Sequence, residues 1–393
     1  MWAIIWGMAC GNSQPEIVRE VQFCEQEEET LSFPPETDLT ALVSGYRVRM
    51  SFFGDLFWGR GVNRRAQRTE DPFMFPFAYL DSFGKYPNET WVANLECPIT
   101  KQQSTYEQQK KLLKFSCRPE YLPNARKFFD VFSLANNHTY NMNEVNGLQQ
   151  TRDYLNTYGF QFFGHYNNVY TEDLCEVVHI PAEAMDETGN PHRSGEVRDI
   201  PVVFCGYHNV IRLPTDKQIE VINQYAKHFI TFVMPHQGVE YDSKSNSWQK
   251  KIFSRMIDQG ADIVVGGHTH SIQDIGKYKD KVIVYSLGNA IFDQQFGSTM
   301  YGLVVRLQMF LDHKEPLLQY ETLFDLGDCS LFKDWCLINA QQMQLKKPSY
   351  TASYGVDILH NKKMQPRLAD EKLEKRKRKE LRYPSFIQNS WGE

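Results

Sequence analysis

At 393 residues, with 41% hydrophobic and 23% charged residues, the chain carries enough apolar material for one large domain with additions, or for two domains. A formal net charge of −5 gives no global reason to expect nucleic-acid binding. No stretch after the N-terminus reaches the roughly 18–20 apolar residues that span a bilayer as a helix.

Residues 2–8 are apolar and lead into Gly7-Met8-Ala9-Cys10-Gly11-Asn12. Small or apolar residues before a cysteine and polar ones after it resemble a bacterial lipoprotein cleavage site, with Cys10 as the lipidated residue. No Lys or Arg precedes the run, and it is short for a signal peptide. The expectation is an envelope protein held extracytoplasmically by a lipid anchor; without a working signal it would be cytoplasmic. Residues 12–44 are acidic (Glu25, Glu27, Glu28, Glu29) and interrupted by Pro34-Pro35, which suits a linker.

From Arg47 the pattern changes. Residues 48–53 read as a strand ending at Gly54-Asp55, and 91–96 as a second ending at Glu96. Residues 119–129 look helical and feed a strand, 131–134, that ends at Asn136-Asn137-His138. A helix over 144–158 carries Leu148 and Leu155 on one face, closed by Gly159. Residues 174–206 alternate strands with a polar hairpin region. Residues 229–234 form a strand ending at Pro235-His236, and a helix over 245–259 leads to the strand 262–265. Gly266-Gly267 breaks that run before His268-Thr269-His270, two imidazoles at i and i+2 on a bending loop. The strand 282–287 turns at Gly288-Asn289, 302–309 reads as an edge strand, and 367–382 as a solvated charged helix. Five strands thus end in a polar, ligand-capable residue, and side chains from distant segments converge at the carboxyl ends of strands in layered α/β folds.

Eight cysteines lack CxxC spacing, so they do not form a structural zinc site. Cys97 and Cys117 flank one loop and Cys329 and Cys336 lie close in sequence. An exported chain would bridge each pair; buried free thiols are the alternative.

Asp55, Glu96, Asn137, His138, His236, His268 and His270 mix carboxylate, amide and imidazole. That set suits Mn, Fe or Zn and argues against an all-oxygen calcium site. Each also has an ordinary reading: Asp55 as a helix cap, Glu96 as a turn carboxylate, Asn136 and Asn137 in left-handed turn geometry, His236 as a packed loop residue. His165, His179, His192, His208 and His228 read as ordinary.

The collinear segments FFGDLFWGRGV, ANLECPIT, SLANNHTYNMNEVNGLQQT, FGHYNN, MPHQGVEY, GADIVVGGHTHSIQ and IVYSLGNAIFD span about residues 48–293. Together they resemble the CapA/PgsA branch of the calcineurin-like metallophosphoesterases, associated with poly-γ-glutamate capsule synthesis and anchoring. The resemblance implies an α/β fold, a four-layer α-β-β-α sandwich, over residues 45–310. Residues 1–44 would be the anchor and linker, and 311–393 an extension ending in the charged helix. It implies Glu96 as a bridging carboxylate, Asn137, His236 and His268 around one metal, and Asp55 and His270 reaching a second. His138 would be the general acid or charge stabiliser, and Arg60, Asn289 and Glu240 would contact substrate. Phe57 stands where the family has a metal-binding histidine, and Thr139 where an acidic residue orients the catalytic histidine. One divalent metal (Mn, Fe or Zn) is therefore expected to be firmly held and a second weakly. The implied function is a metal-dependent hydrolase or transferase acting on an amide or ester of an anionic polymer or peptide, with membrane synthase subunits as partners. The alternatives are a non-catalytic envelope component that binds polymer or synthase through a degenerate site, and a metal-independent acid–base enzyme such as an epimerase.

Overall fold

Strand β1, Gly45–Leu56, pairs with four other strands, and the fold follows from how they share its edges. A computed structural model describes residues 43–312, Gln319, Leu323, 333–381 and 383–388. The N-terminal apolar run, Cys10, most of the acidic linker and Cys329 lie outside the described residues.

The sequence of β1 is almost continuously apolar because both its faces are covered. Val48, Met50 and Phe52 enter one hydrophobic cluster, while Phe53, Leu56 and Phe57 enter another. Neighbouring side chains on a strand point to opposite faces, so this one segment serves two cores. Burying each phenylalanine contributes about 2–3 kcal/mol.

Along one edge, Gly45 to Val48 pair antiparallel with β5, Cys175–Met185. Arg49 to Leu56 pair parallel with β2, Glu89–Leu95. Two series of strands therefore part at β1. The first continues in parallel through β3, Val131–Ser133, to β4, Gln161–Phe163. The second runs from β5 to β6, Val197–His208, then β7, Thr231–His236, and β8, Ile263–Val265. It ends at β10, Lys281–Val284, and β9, Ile275–Tyr278. Helix α5, Asp216–Ala226, connects β6 to β7, and α6, Ser247–Asp258, connects β7 to β8. Each opens with a capping box, Thr215 with Gln218 and Asn246 with Gln249, which satisfies two otherwise orphaned backbone donors. The result is a mixed α/β fold, a large mixed sheet flanked by helices.

On its other edge β1 pairs with β12, Tyr301–Asp312, and near its end with β11, Asn289–Ile291. The segment read as an edge strand is therefore interior. β12 also pairs with β13, Tyr350–Lys362, from Tyr301 opposite His360 to Leu311 opposite Tyr350. The expectation failed because β13 mixes polar and apolar residues without a clean alternation. β14, Gln365–Leu368, follows it, and the charged helix begins at Glu371 and ends at Leu381, with no buried residue. The helical reading of 119–129 holds only for its first part, a 3-10 helix, Pro119–Tyr121, running into one α-helical turn, Leu122–Ala125, before Phe128 and Phe129 enter the core.

Cys97 and Cys117 are bridged as expected, and a second disulfide joins Cys175 and Cys205 across β5 and β6. Cys336 is disulfide-bonded as well. No helix among the described residues is long and apolar enough to cross a membrane.

Buried Asp262, just before β8, ties the late strands to this frame. It accepts from Thr231 N at 2.8 Å, Tyr350 Oη at 2.8 Å, Lys281 Nζ at 2.9 Å and Lys347 Nζ at 2.6 Å. Asp262→Ala removes this acceptor from four donors, but the part-exposed Lys281 and Lys347 ammonium groups keep Tyr350 Oη and Gly260 O, so it is expected to cost about 1–3 kcal/mol of unfolding free energy. A urea titration showing less than about 1 kcal/mol would remove Asp262 from this role.

Candidate metal centre

The ends of β1, β2 and β7, with the loop after β8, meet at one buried point. Asp55 and Glu96 are both fully buried there. Gly54 allows the approach of β11, because a Cβ at this position would lie 1.8 Å from the Gly288 carbonyl oxygen. Gly267 leaves the cavity open; a Cβ there would sit 3.1 Å from Asp55 Oδ1 and 3.5 Å from His236 Nδ1. His268 and His270 hold φ of 88° and 54°, left-handed values that cost non-glycine residues about 1–3 kcal/mol each. Such strain points both rings inward from one short loop.

The polar atoms converge closely. His270 Nδ1 is 3.4 Å from Asp55 Oδ2 and its Nε2 is 3.8 Å from Glu96 Oε1. His236 Nε2 and His138 Nε2 each lie 3.9 Å from Glu96 Oε1. His236 Nε2 lies 2.9 Å from Asn137 Oδ1, and the His236 and His268 rings are 4.8 Å apart. All seven residues expected at the centre are thus brought together. Asp55, Glu96 and His270 offer ligand atoms within 4.8 Å of one another. Among the described residues, Asp55 Oδ2, both Glu96 oxygens and His268 Nδ1 are buried without a hydrogen-bond partner. Buried orphan acceptors are costly unless something positive sits among them. Four Lewis-basic atoms of this kind fit a divalent transition metal.

Electrostatics point the same way. Burial, then the Asp55 and Glu240 charges, push the Glu96 carboxyl well above its usual range. Burial lowers His236 well below the ordinary imidazole value, with His268 adding to it. His138 is lowered to about 4, and His268 to about 3, again chiefly by burial. These imidazoles are neutral at pH 7, the form that binds metal.

Neighbours that the sequence did not single out fix the rings. Asn94 Nδ2 donates to Asp55 Oδ1 at 2.8 Å and lies 3.3 Å from His236 Nδ1. Asn136 is no left-handed turn residue: its amide reaches Asn94 Oδ1 and Leu95 O, and its carbonyl accepts from His138 N and Thr139 N. Thr139 does not orient His138. That place is taken by Asn141, whose Oδ1 lies 2.7 Å from His138 Nδ1 and also accepts from Phe115 N. With Nδ1 as donor, Nε2 is left as the acceptor facing Glu96. Phe57 packs against Phe115 and Phe292, at 4.3 and 5.0 Å between centroids. Phe115 in turn stacks on His138 at 3.8 Å and Phe292 lies 4.8 Å from His270. Phe57 therefore builds part of an apolar wall beside the His138 and His270 rings.

Of the residues expected to meet substrate, Glu240 is exposed and Arg60 is paired with Asp293, its Nε 2.7 Å from Oδ2. Asn289 is fully buried; its Oδ1 lies 2.9 Å from His270 Nδ1, while its amide donates to Gln294 and to Thr299 O.

The family model described as "Bacterial capsule synthesis protein PGA_cap" matches residues 49–294, which contain all seven residues of the candidate centre. The chain belongs to this family. Among its relatives is the "PGA biosynthesis protein CapA" of Bacillus subtilis (strain 168), 27% identical over 290 residues, 70% of this chain and 71% of that one. The "Capsule biosynthesis protein CapA" of Bacillus anthracis is 25% identical over 280 residues, 67% of this chain and 64% of that one. Solved structures are more distant. A hypothetical protein from Thermus thermophilus is 13% identical with a TM-score of 0.37, covering 67% of this chain and 93% of its own. A likeness at that level says nothing further of this member of the PGA_cap family.

Two outcomes are expected. Manganese or zinc at about 100 times its dissociation constant should stabilise the wild type by about 2.7 kcal/mol in a melting experiment. Asp55→Asn should abolish that gain; an unchanged gain would place the metal elsewhere. In metal-free protein, His138 is neutral when folded yet protonates near pH 6.5 when unfolded, so stability falls as pH drops from 7 towards 4. His138→Gln should remove about 2 kcal/mol of the loss between pH 7 and 5. An identical slope for both proteins would show that His138 titrates normally.

Proposed function

We propose that this PGA_cap protein is a metal-dependent hydrolase or transferase acting on an amide or ester of an anionic polymer, in poly-γ-glutamate capsule synthesis or anchoring. The observation that carries this reading is the set of buried, partnerless acceptors on Asp55, Glu96 and His268 beside a free His138 Nε2. We further read the two strand series leaving β1 as the paired sheets of a four-layer α-β-β-α sandwich.

Asp55, Glu96 and His270 would hold a divalent metal, with Asn137, His236 and His268 around a second position. When bound, such an ion supplies Lewis acidity, bringing water towards neutral pKa and polarising the attacked oxygen. The side chains do the rest. Asn289 and Asn94 are positioning residues, holding His270 and His236 in one orientation. The Phe57, Phe115 and Phe292 wall excludes water. His138, neutral at pH 7 and fixed through Nδ1 by Asn141, takes a proton at Nε2 from the attacking water, amine or hydroxyl. The same ring returns that proton to the leaving nitrogen or oxygen. A positioned acid–base group of this kind contributes roughly 10²–10⁴-fold.

The disulfides Cys97–Cys117 and Cys175–Cys205 support an extracytoplasmic place at the cell envelope, since such bridges persist in oxidising compartments. Anchoring through Cys10 and contact with membrane synthase subunits belong to the same proposal. One feature favours a binding role without turnover: Phe57, where the resemblance implies a metal-binding histidine, stacks on Phe115 and has a ring that cannot coordinate metal.

Wild type, His138→Ala and His268→Ala, each loaded with manganese or zinc, separate these readings on poly-γ-glutamate and on simple phosphoesters. Loss of polymer cleavage or transfer by about 10²-fold or more in His138→Ala is the expected result. Equal background turnover by all three proteins would refute catalysis and leave the binding role.

A further inference from the structure

A second feature lies one aromatic ring away from His138. A cavity of about 420 Å³ is bounded by Arg60, Arg64, Arg68 and Arg118, and among the described residues no carboxylate forms part of its lining. The first three guanidinium groups come from the loop and helix that directly follow β1, in the run 60–68; helix α1 is Arg60–Ala66. Two of the four charges are compensated from behind, Arg60 by Asp293 and Arg118 by Glu120 at 2.6 Å. The other two are not. Arg64 and Arg68 are exposed, Arg64 lies 4.7 Å over the Tyr106 ring, and neither takes part in an ion pair among the described residues.

The cavity is joined to the metal centre by stacking. Arg60 sits 4.8 Å over Phe115, and Phe115 stacks on His138 at 3.8 Å. The Arg60 backbone N–H is held by Gln109 Oε1 at 3.1 Å, and Gln109 is itself buried with its amide on Ser104 O. The arginine nearest the centre is thus rigid, while the two outer ones are free to meet a ligand.

We propose that this cavity is a binding subsite for a polycarboxylate chain, holding carboxylates of the substrate away from the bond being broken. The inference rests on the proposed function for its substrate class, but its test does not depend on turnover. Uncompensated, exposed guanidinium groups pair with carboxylates at little desolvation cost. A chain with an anionic group on every repeat can place one at the reacting centre while its neighbours are held here, which a small ester cannot do. Two contacts on one chain raise its local concentration at the centre without any new contact at the metal.

The test measures binding of fluorescently labelled, γ-linked glutamate decamers to full-length His138→Ala protein by anisotropy, across a series of salt concentrations. Adding Arg64→Glu and Arg68→Glu together is expected to weaken binding about tenfold or more and to flatten its salt dependence. Adding Lys217→Glu and Lys227→Glu instead, the same charge change on exposed residues near α5, is expected to alter affinity less than twofold. Equal weakening by both pairs would overturn the proposal, because net charge alone would then explain it. Unchanged binding in the arginine pair would overturn it too, as would tighter arginine-dependent binding of a polyphosphate chain of matched length. If the wild type turns nothing over yet the decamer binds through Arg64 and Arg68, the catalytic reading fails and the subsite stands.

Discussion

Two carboxylates buried side by side are the constraint around which this protein is arranged. Asp55 and Glu96 are both inaccessible to solvent, and three of their four oxygens find no donor. Isolated negative charge in such a place is prohibitively costly, so the group must either take up a proton or meet a positive ion. The surrounding histidines do not resolve the conflict by becoming charged, since burial keeps His138, His236 and His268 neutral. A nest of neutral bases and unpaired acids is unstable as a salt-bridge network and well suited as a coordination site.

The rest of the fold is organised to sustain that arrangement. β1 delivers Asp55 from between two cores, so its position is braced on both faces. Parallel neighbours bring Glu96 and His236 to the same end of the sheet, as they must when strands run in one direction. Amide side chains then do what carboxylates could not do without adding more negative charge. Asn94, Asn141 and Asn289 each hold a histidine or aspartate by hydrogen bonds while remaining neutral. Their neutrality preserves the demand for a cation at the centre.

Phe57 illustrates how a residue that reads as a missing ligand can have a structural role. In isolation it reads as the loss of a ligand. In the fold it anchors a stack running to Phe115 and His138, and a contact to Phe292 and His270. Where the resemblance implies a histidine, an aromatic ring adds packing beside His138 and His270.

Much of this was legible in the chain itself. Strands that end in Asp55, Glu96, Asn137 and His236, and the loop bearing His268 and His270, were readable because apolar runs and glycine breaks are local signals. Convergence of those ends was an inference from strand direction, and the distances bear it out. Long-range pairing was not legible. β12 became an interior strand because β13 returns beside it, and β13 shows no clean periodicity of its own. The partners of the histidines were equally hidden. Asn94 and Asn289 act on rings far away in sequence, while Asn141 acts three residues from His138 on a turn whose shape no spacing rule supplies. Sequence fixes which residue types are present and how each segment tends to run; only tertiary packing decides which polar atoms are sealed from water together, because burial is a property of everything that surrounds a group and not of the group itself.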